Sequence, residues 1–307
     1  MKAYSVFSDF SPAAEEILNN SGIELVKGEN DAAANFSENL SDLIRKYDAL
    51  VIGTSQKISS DILSRIDKRL IIGTISSGTD HISIPEFKQN SIRIVNAPTA
   101  NAQSVSEHVF AMILSFIKRL NEGIGLYRNG KDKKCLKRKS TELASYSIGV
   151  LGAGEIGKAI IRISRMFNMK TYCYTANPSR HTDIGNMGTE FLSIDELIHK
   201  SNIIVLCLPS NEETVGIISY DRVQEMKNDS IFISISRPEL IDIQALLNKA
   251  YEYDSFYLGL DIDVLPLNLE KRDNVIITPH YAGVTVEARE RQFIEVAENI
   301  TSVINKW

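Results

Sequence analysis

An α/β protein with two doubly wound parallel sheets is predicted from three features of the 307-residue sequence. Short β-branched apolar runs alternate with segments of helical apolar spacing along both halves, the pattern of βαβ units around a parallel sheet. No fixed-period repeat or low-complexity tract interrupts that alternation. A glycine-rich turn beginning at Gly152 joins the first strand-like run of the second half to a helix, the place where such sheets hold ligands. The length suffices for two ordinary domains, each with its own core.

The elements follow in order. In the first hundred residues the strand-like runs are 4–7, 50–52, 70–75 and 92–95, separated by helical stretches at 11–19 and 59–66, which together make one small α/β domain. Residues 104–120 then carry Val105, Val109, Met112, Ile113, Phe116, Ile117 and Leu120 at helical spacing, too many for a helix with one wet face. A largely buried connecting helix is expected. From Ser147 a more regular series begins, with strands at 148–151, 170–174, 203–208, 230–234, 256–260 and 275–278. Six strands with intervening helices suit a doubly wound sheet. The last segment, 287–306, sets Phe293, Val296, Ala297, Ile300, Val303 and Ile304 on one helical face, which is expected to pack back onto the first domain.

Composition excludes several classes. Lys and Arg number 34 against 39 Asp and Glu, a net of -5, so no cationic field draws the chain onto nucleic acid or an anionic membrane. The longest apolar stretch, 109–117 and broken by Ser115, falls short of the ~20 residues a spanning helix needs. The amino terminus lacks a basic region followed by an apolar run and a cleavage site, so a soluble, cytoplasmic protein is expected. Cys135, Cys173 and Cys207 are widely spaced and form no C-x-x-C pair, which reads as packing residues rather than a disulfide framework or metal site. Residues 128–139 carry seven basic side chains and one acidic one. They read as a solvated loop, with a phosphorylated ligand as the alternative.

The strand 148–151 runs into Gly152-Ala153-Gly154-Glu155-Ile156-Gly157 and then a helix. In that context Gly152 makes the tight turn, Gly154 lets the backbone approach a pyrophosphate, and Gly157 allows close packing of helix on strand, with the helix amino terminus toward the anion. The turn implies a bound dinucleotide. An NAD site usually ends its second strand in Asp or Glu for the ribose hydroxyls. Here that strand is followed by Thr175-Ala176-Asn177-Pro178-Ser179-Arg180, which offers hydroxyls and a guanidinium instead. Ser179 and Arg180 suit a 2'-phosphate, so NADP is expected as the preferred cofactor, with NAD as the alternative.

Ligands in doubly wound sheets sit beyond the carboxyl ends of the strands. Three polar groups interrupt the apolar runs at that edge. The strand 230–234 is followed by Ile235-Ser236-Arg237, the strand 256–260 ends at Asp261, and the strand 275–278 ends in Pro279-His280. Arg237 suits a bidentate grip on a carboxylate or α-keto acid, and histidine is a competent proton donor near neutrality. Together they describe carbonyl reduction. The other histidines do not follow strands of this sheet: His181 and His199 sit in polar surroundings, and His81 and His108 belong to the first domain and the connecting helix.

With these residues in place the chain resembles the D-isomer-specific 2-hydroxyacid dehydrogenase family over nearly its whole length. The matching stretches are Ser76-Ser77-Gly78-Thr79-Asp80, Asn96-Ala97-Pro98 through Asn101, Ser104 to Glu107-His108, the glycine turn, Leu208-Pro209 with Glu213-Thr214, Ser236-Arg237, Leu260-Asp261, and Thr278-Pro279-His280-Tyr281-Ala282-Gly283. The resemblance implies a discontinuous, flavodoxin-like catalytic domain from residues 1–97 and 283–307, a nucleotide-binding domain over 98–282, a cleft between them, and a homodimer. It implies that His280 donates a proton to the carbonyl oxygen while Arg237 holds the substrate's carboxylate and carbonyl. The backbone at Ser77 and Gly78 would bind the substrate carboxylate, and Asp261 would contact the nicotinamide carboxamide. Leu208, Pro209, Thr214, Ile235, Ser236 and Gly283 would complete the cofactor contacts.

Three departures qualify the resemblance. The family's D-V-F-E-x-E-P pattern carries a glutamate that pairs with the histidine, and an ungapped alignment puts Pro266 there, so an imidazolium at His280 would lack that Coulombic partner unless Asp263 or Glu270 takes its place. Pro238-Glu239 replaces small residues after Arg237, which would alter how the arginine is presented. Gly53-Thr54-Ser55-Gln56-Lys57 lacks the arginine found in relatives acting on phosphoglycerate. The leading expectation is an enzyme acting on a small 2-keto or 2-hydroxy acid such as glyoxylate or hydroxypyruvate. The alternative is a catalytically impaired nucleotide sensor or interaction protein of the same fold.

Overall fold

A computed structural model describes residues 1–29, 32–88, 91–264 and 269–306. The turn holding Pro266 lies outside the described residues. Contacts divide the chain into two compact units, Met1–Asn101 with Val284–Trp307, and Ala102–Gly283.

The first unit runs β1 (Lys2–Ser5), α1 (Pro12–Asn20), β2 (Glu24–Lys27), α2 (Phe36–Lys46), β3 (Ala49–Ile52), α3 (Ser60–Ser64), β4 (Leu70–Thr74) and β5 (Ile92–Val95). The second runs α4 (Ala102–Ile117), α5 (Leu120–Arg128), β6 (Ser147–Leu151), α6 (Glu155–Met166), β7 (Lys170–Tyr174), α7 (Thr182–Asn186), β8 (Glu190–Phe191), α8 (Ile194–Lys200), β9 (Ile203–Leu206), α9 (Tyr220–Glu225), β10 (Ile231–Ser234), α10 (Ile243–Glu252), β11 (Tyr257–Asp261) and β12 (Val275–Thr278). The last helix, α11 (Val286–Ile304), returns to the first unit.

The first sheet has the order β2-β1-β3-β4-β5, the flavodoxin-like arrangement, and all its pairings are parallel. Its middle strands β3 and β4 are buried at every residue, which is why they are continuous apolar runs in the sequence. Edge strand β2 has no strand pattern in the sequence because Leu25 and Val26 stand alone between Glu24 and Lys27. Ser11 caps α1, its hydroxyl accepting from the Ala14 N–H, with Pro12 at the first helical position where a missing N–H costs nothing. Thr285 caps α11 in the same way, and Phe293, Val296, Ala297 and Ile300 are the buried face that joins the core of this unit. That is the packing expected for residues 287–306.

The second sheet has the order β12-β11-β10-β9-β6-β7-β8, also wholly parallel, with a core on each face. Six of its strands were expected; the seventh, β8, is two residues long and too short to carry a pattern. The connecting helix over 104–120 is broken in two. Arg119 takes a left-handed conformation at φ 56° between α4 and α5. Its partly buried guanidinium pairs with the buried Glu122 carboxylate and donates to the Tyr257 hydroxyl at 2.9 Å, so a polar staple interrupts what periodicity alone reads as one helix. Glu122 also accepts from the Lys137 N–H at 2.7 Å, pinning the basic segment. The lysines and arginines of that segment are exposed, as a solvated loop requires. Cys173 and Cys207 pack in the core, but Cys135 is exposed in the basic loop and corrects the expectation that all three cysteines are packing residues.

Candidate active site

β6 delivers the chain to Gly152, whose φ of 123° is open only to glycine without strain. Gly157 lies so close to this turn that a Cβ there would stand 2.0 Å from the Gly152 carbonyl oxygen. Gly154 is the N-cap of α6 and donates no side-chain cap, while a Cβ on it would meet nothing within 4 Å. The space before Gly154 at the amino end of a twelve-residue helix is therefore open, which fits a pyrophosphate. Glu155 and Ile156 open the helix. Glu155 lies 3.4 Å from Lys158, which also reaches Asp183 on α7 at 3.0 Å. That hydrogen bond to Asp183 raises the Lys158 ammonium above its ordinary range and lowers the Asp183 carboxyl. Beneath the turn the Cys207 thiol donates toward the Leu151 and Gly152 carbonyls at 3.3 and 3.5 Å. Burial pushes it upward, and pushes Cys173 to about 12, so both remain thiols near neutrality.

After β7 the Asn177 N–H donates to Thr175 Oγ1 at 3.4 Å, and residues Pro178–Arg180 form a short 3-10 turn that leaves Ser179 and Arg180 exposed. The loops after β9 and β10 are tied to each other. Ser236 Oγ donates to the Leu208 carbonyl at 2.8 Å, and Thr214 Oγ1 donates to the Pro209 carbonyl at 2.6 Å. Glu239 accepts from Ser210 Oγ at 2.7 Å through its side chain and from the Gly216 N–H at 2.9 Å through its carbonyl. Pro238-Glu239 thus braces the two loops, with Ile235 and Ser236 leading to Arg237 in extended backbone.

Arg237 Nη1 stands 3.3 Å from His280 Nε2. His280 is held in the left-handed region at φ 51°, and its N–H donates to the Thr278 carbonyl at 2.9 Å. Asp261 is 2% exposed, and its carboxylate holds this turn. Its Oδ1 accepts from Thr278 Oγ1 at 2.6 Å and the Tyr281 N–H at 3.0 Å, and its Oδ2 from the Ala282 N–H at 2.9 Å. Gly283 follows directly. His108, which follows no strand of this sheet, joins the same cluster through Thr278. Glu270 is committed elsewhere: its carboxylate accepts from Arg272 at 2.9 Å and its N–H donates to the Tyr251 hydroxyl. Asp263 is exposed. Among the described residues no carboxylate is hydrogen-bonded to His280.

In the first unit, Ser77 and Gly78 form a turn after β4. Ser77 Oγ donates to Asn101 Oδ1 at 3.1 Å, Asn96 Nδ2 donates to the Ser77 carbonyl, and Ser76 Oγ donates to the Gly78 carbonyl at 2.6 Å. The carbonyls and hydroxyls of the turn are thereby spent internally. Among the described residues no group of His, Cys, Asp and Glu is arranged to hold a metal ion, and no helix is long and apolar enough to cross a membrane.

A glycine turn that fits a pyrophosphate on a doubly wound sheet, with an imidazole and a guanidinium beyond the carboxyl ends of other strands of that sheet, suits the class of pyridine-nucleotide oxidoreductases. Comparison with known proteins narrows it. Residues 110–282 match the family model described as D-isomer specific 2-hydroxyacid dehydrogenase, NAD binding domain. A glyoxylate reductase of Thermofilum pendens is 31% identical over 306 residues, covering 96% of this chain and 83% of that protein. The crystal structure of D-lactate dehydrogenase from Aquifex aeolicus, complexed with NAD and lactic acid, superposes with a TM-score of 0.83 at 27% identity, covering 100% of this chain and 96% of that one. An acyclic imino acid reductase in complex with NADPH and D-Arg superposes with a TM-score of 0.84 at 26% identity, covering 100% and 98%. The chain belongs to the D-isomer-specific 2-hydroxyacid dehydrogenases, and it is an oxidoreductase of 2-hydroxy acids that uses a nicotinamide cofactor.

Proposed function

We propose that the chain reduces a small 2-keto acid of the glyoxylate or hydroxypyruvate type to the corresponding 2-hydroxy acid, with His280 as general acid and Arg237 as the substrate clamp. The observation that carries this reading is the 3.3 Å approach of Arg237 Nη1 to His280 Nε2 at the strand ends beyond the glycine cradle. The reduced nicotinamide, when bound, supplies the hydride. A guanidinium only donates, so the contact with His280 is a hydrogen bond when Nε2 carries a lone pair. A substrate carboxylate or carbonyl oxygen is a better acceptor and takes over the Arg237 N–H, which leaves Nε2 free to carry the proton that goes to the carbonyl oxygen. The Ser77 and Gly78 N–H groups make no hydrogen bond among the described residues, and they are assigned to the substrate carboxylate. The reading extends to a homodimer: α5 presents Leu120, Ile124 and Tyr127, 49%, 48% and 85% exposed, as an apolar stripe at helical spacing. It also extends to the cytoplasm, where the free cysteines stay reduced.

The test is a steady-state screen of NADPH and NADH against glyoxylate, hydroxypyruvate, pyruvate and bulkier 2-keto acids. Turnover is expected with the smallest members; silence across the panel, with nucleotide still bound, would turn the reading toward a nucleotide sensor.

NADP is the proposed preferred cofactor, supported by the exposed Ser179 and Arg180 and by the lack of a carboxylate in residues 175–180 after β7. A charge-assisted hydrogen bond to a phosphate contributes about 1.5–3 kcal/mol, so Arg180→Ala is expected to weaken NADPH by roughly tenfold or more and NADH hardly at all. Fluorescence titration of both nucleotides measures this, and an unchanged ratio would remove the phosphate argument.

A further inference from the structure

His108 lies on α4, outside the pair assigned to the reaction, yet it reaches the turn carrying His280 from two sides. Its Nε2 is 3.1 Å from Thr278 Oγ1, and its ring meets that of Tyr281 edge to face with centroids 5.1 Å apart. Thr278 stands two residues before His280 and Tyr281 one after, so the two contacts bracket Pro279-His280.

The hydrogen positions follow from what each group can do. Asp261 Oδ1 is 2.6 Å from Thr278 Oγ1, and a carboxylate only accepts. The single hydroxyl hydrogen of Thr278 therefore goes to Asp261, the charged and nearer of its two acceptors, the Leu260 carbonyl standing at 3.4 Å. The contact with His108 is then donated by its Nε2–H. The result is a directed chain from His108 through Thr278 to Asp261, whose carboxylate also holds the N–H groups of Tyr281 and Ala282.

Such a chain has work to do at this turn. His280 sits at φ 51°, a region that a residue with a Cβ populates sparsely and keeps only where its surroundings impose it. The imidazole meets Arg237 at 3.3 Å, and the backbone that presents it decides whether it can reach that contact. That backbone is held by Asp261 from one side, and the Thr278 hydroxyl and the Tyr281 ring by His108 from the other.

We propose that His108 is a positioning residue for the reaction: through Thr278 and Tyr281 it fixes the left-handed turn that keeps the His280 imidazole facing Arg237. This rests on the reading of His280 as the acid. His108 touches no reacting atom in this scheme, so its loss lowers kcat and spares both KM and cofactor affinity.

The experiment is a small cycle of variants in the 307-residue chain. His108→Leu removes the donor and the ring, and is expected to lower kcat about tenfold, the worth of one well-made hydrogen bond, with KM and the NADPH dissociation constant within twofold. His108→Gln keeps an N–H near the Nε2 position and is expected to recover most of that loss. Thr278→Val removes the relay and should cost about as much as His108→Leu, and the double variant His108→Leu/Thr278→Val should be no slower than Thr278→Val alone. Wild-type kcat in His108→Leu, equal losses in His108→Leu and His108→Gln, or multiplying losses in the double variant would each overturn the proposal. Should His108→Leu not fold, His108→Gln with and without Thr278→Val decides it: near-normal kcat for the first and no further loss in the pair support the relay, and the opposite results overturn it. His280→Asn separates the two levels. Intact turnover in that variant defeats the acid assignment itself, whereas loss there with none in His108→Leu defeats only the positioning role.

Discussion

In the His280→Asn enzyme, kcat for reduction is expected to fall by about two to four orders of magnitude, the range that general acid catalysis contributes. Asparagine is the informative replacement. It tolerates the left-handed backbone that the structure records at φ 51°, so the turn survives while the transferable proton is lost. The NADPH dissociation constant and the melting temperature should stay near those of the wild type, because the cradle at Gly152 to Gly157 belongs to a different strand end. His280→Ala is expected to lose turnover to a similar extent, but alanine tolerates the left-handed backbone less well than asparagine, so the turn itself is also weakened. Comparing the two variants separates chemistry from presentation. Parallel losses of turnover, nucleotide affinity and stability in His280→Asn would show that the imidazole holds the fold together rather than serving as the acid.

What could be read from the sequence divides along physical lines. The strands β3, β4, β6, β9 and β10 were legible because burial on both faces writes itself as an unbroken apolar run. The glycine turn, Arg237 and His280 were legible because each is tied to a strand end by position in the chain. β2 and β8 were not: one has two apolar residues between charges, the other only two residues. The break at Arg119 was hidden because its cause is a side-chain pair with Glu122 and a hydrogen bond to Tyr257, 138 residues away. His108 was passed over for the same reason. Its partner Thr278 is 170 residues further on, and nothing in the helical spacing of α4 marks one residue as reaching across the sheet. Asp261 was legible as a strand-end carboxylate, but its bonds to the following turn were not, because Thr278, Tyr281 and Ala282 lie 17 to 21 residues further on. Glu270 offered a replacement for the missing glutamate by register alone, and the structure gives that carboxylate to Arg272.

The glycine cradle yields the second large effect, because its three glycines are needed for different reasons and their alanine variants should fail differently. A Cβ at Gly154 meets nothing within 4 Å, and its φ of -69° suits any residue. Gly154→Ala should therefore melt within a degree or two of the wild type, yet place a methyl group in the space where the backbone receives the pyrophosphate. A weakening of both NADPH and NADH by roughly tenfold to a hundredfold is expected, since a misplaced methylene or methyl in a fitted site costs about 1–3 kcal/mol. A Cβ at Gly157 would stand 2.0 Å from the Gly152 carbonyl oxygen, a backbone atom that cannot swing aside. Gly157→Ala must push α6 away from the turn and strain the packing against Cys207, so it should lose thermal stability and nucleotide affinity together. Calorimetry and nucleotide titration on the two variants give the decisive pair of readings. Equal affinity losses with equal melting temperatures would mean that Gly157 serves the ligand rather than the helix. Unaltered affinity in Gly154→Ala would place the dinucleotide somewhere other than the amino end of α6.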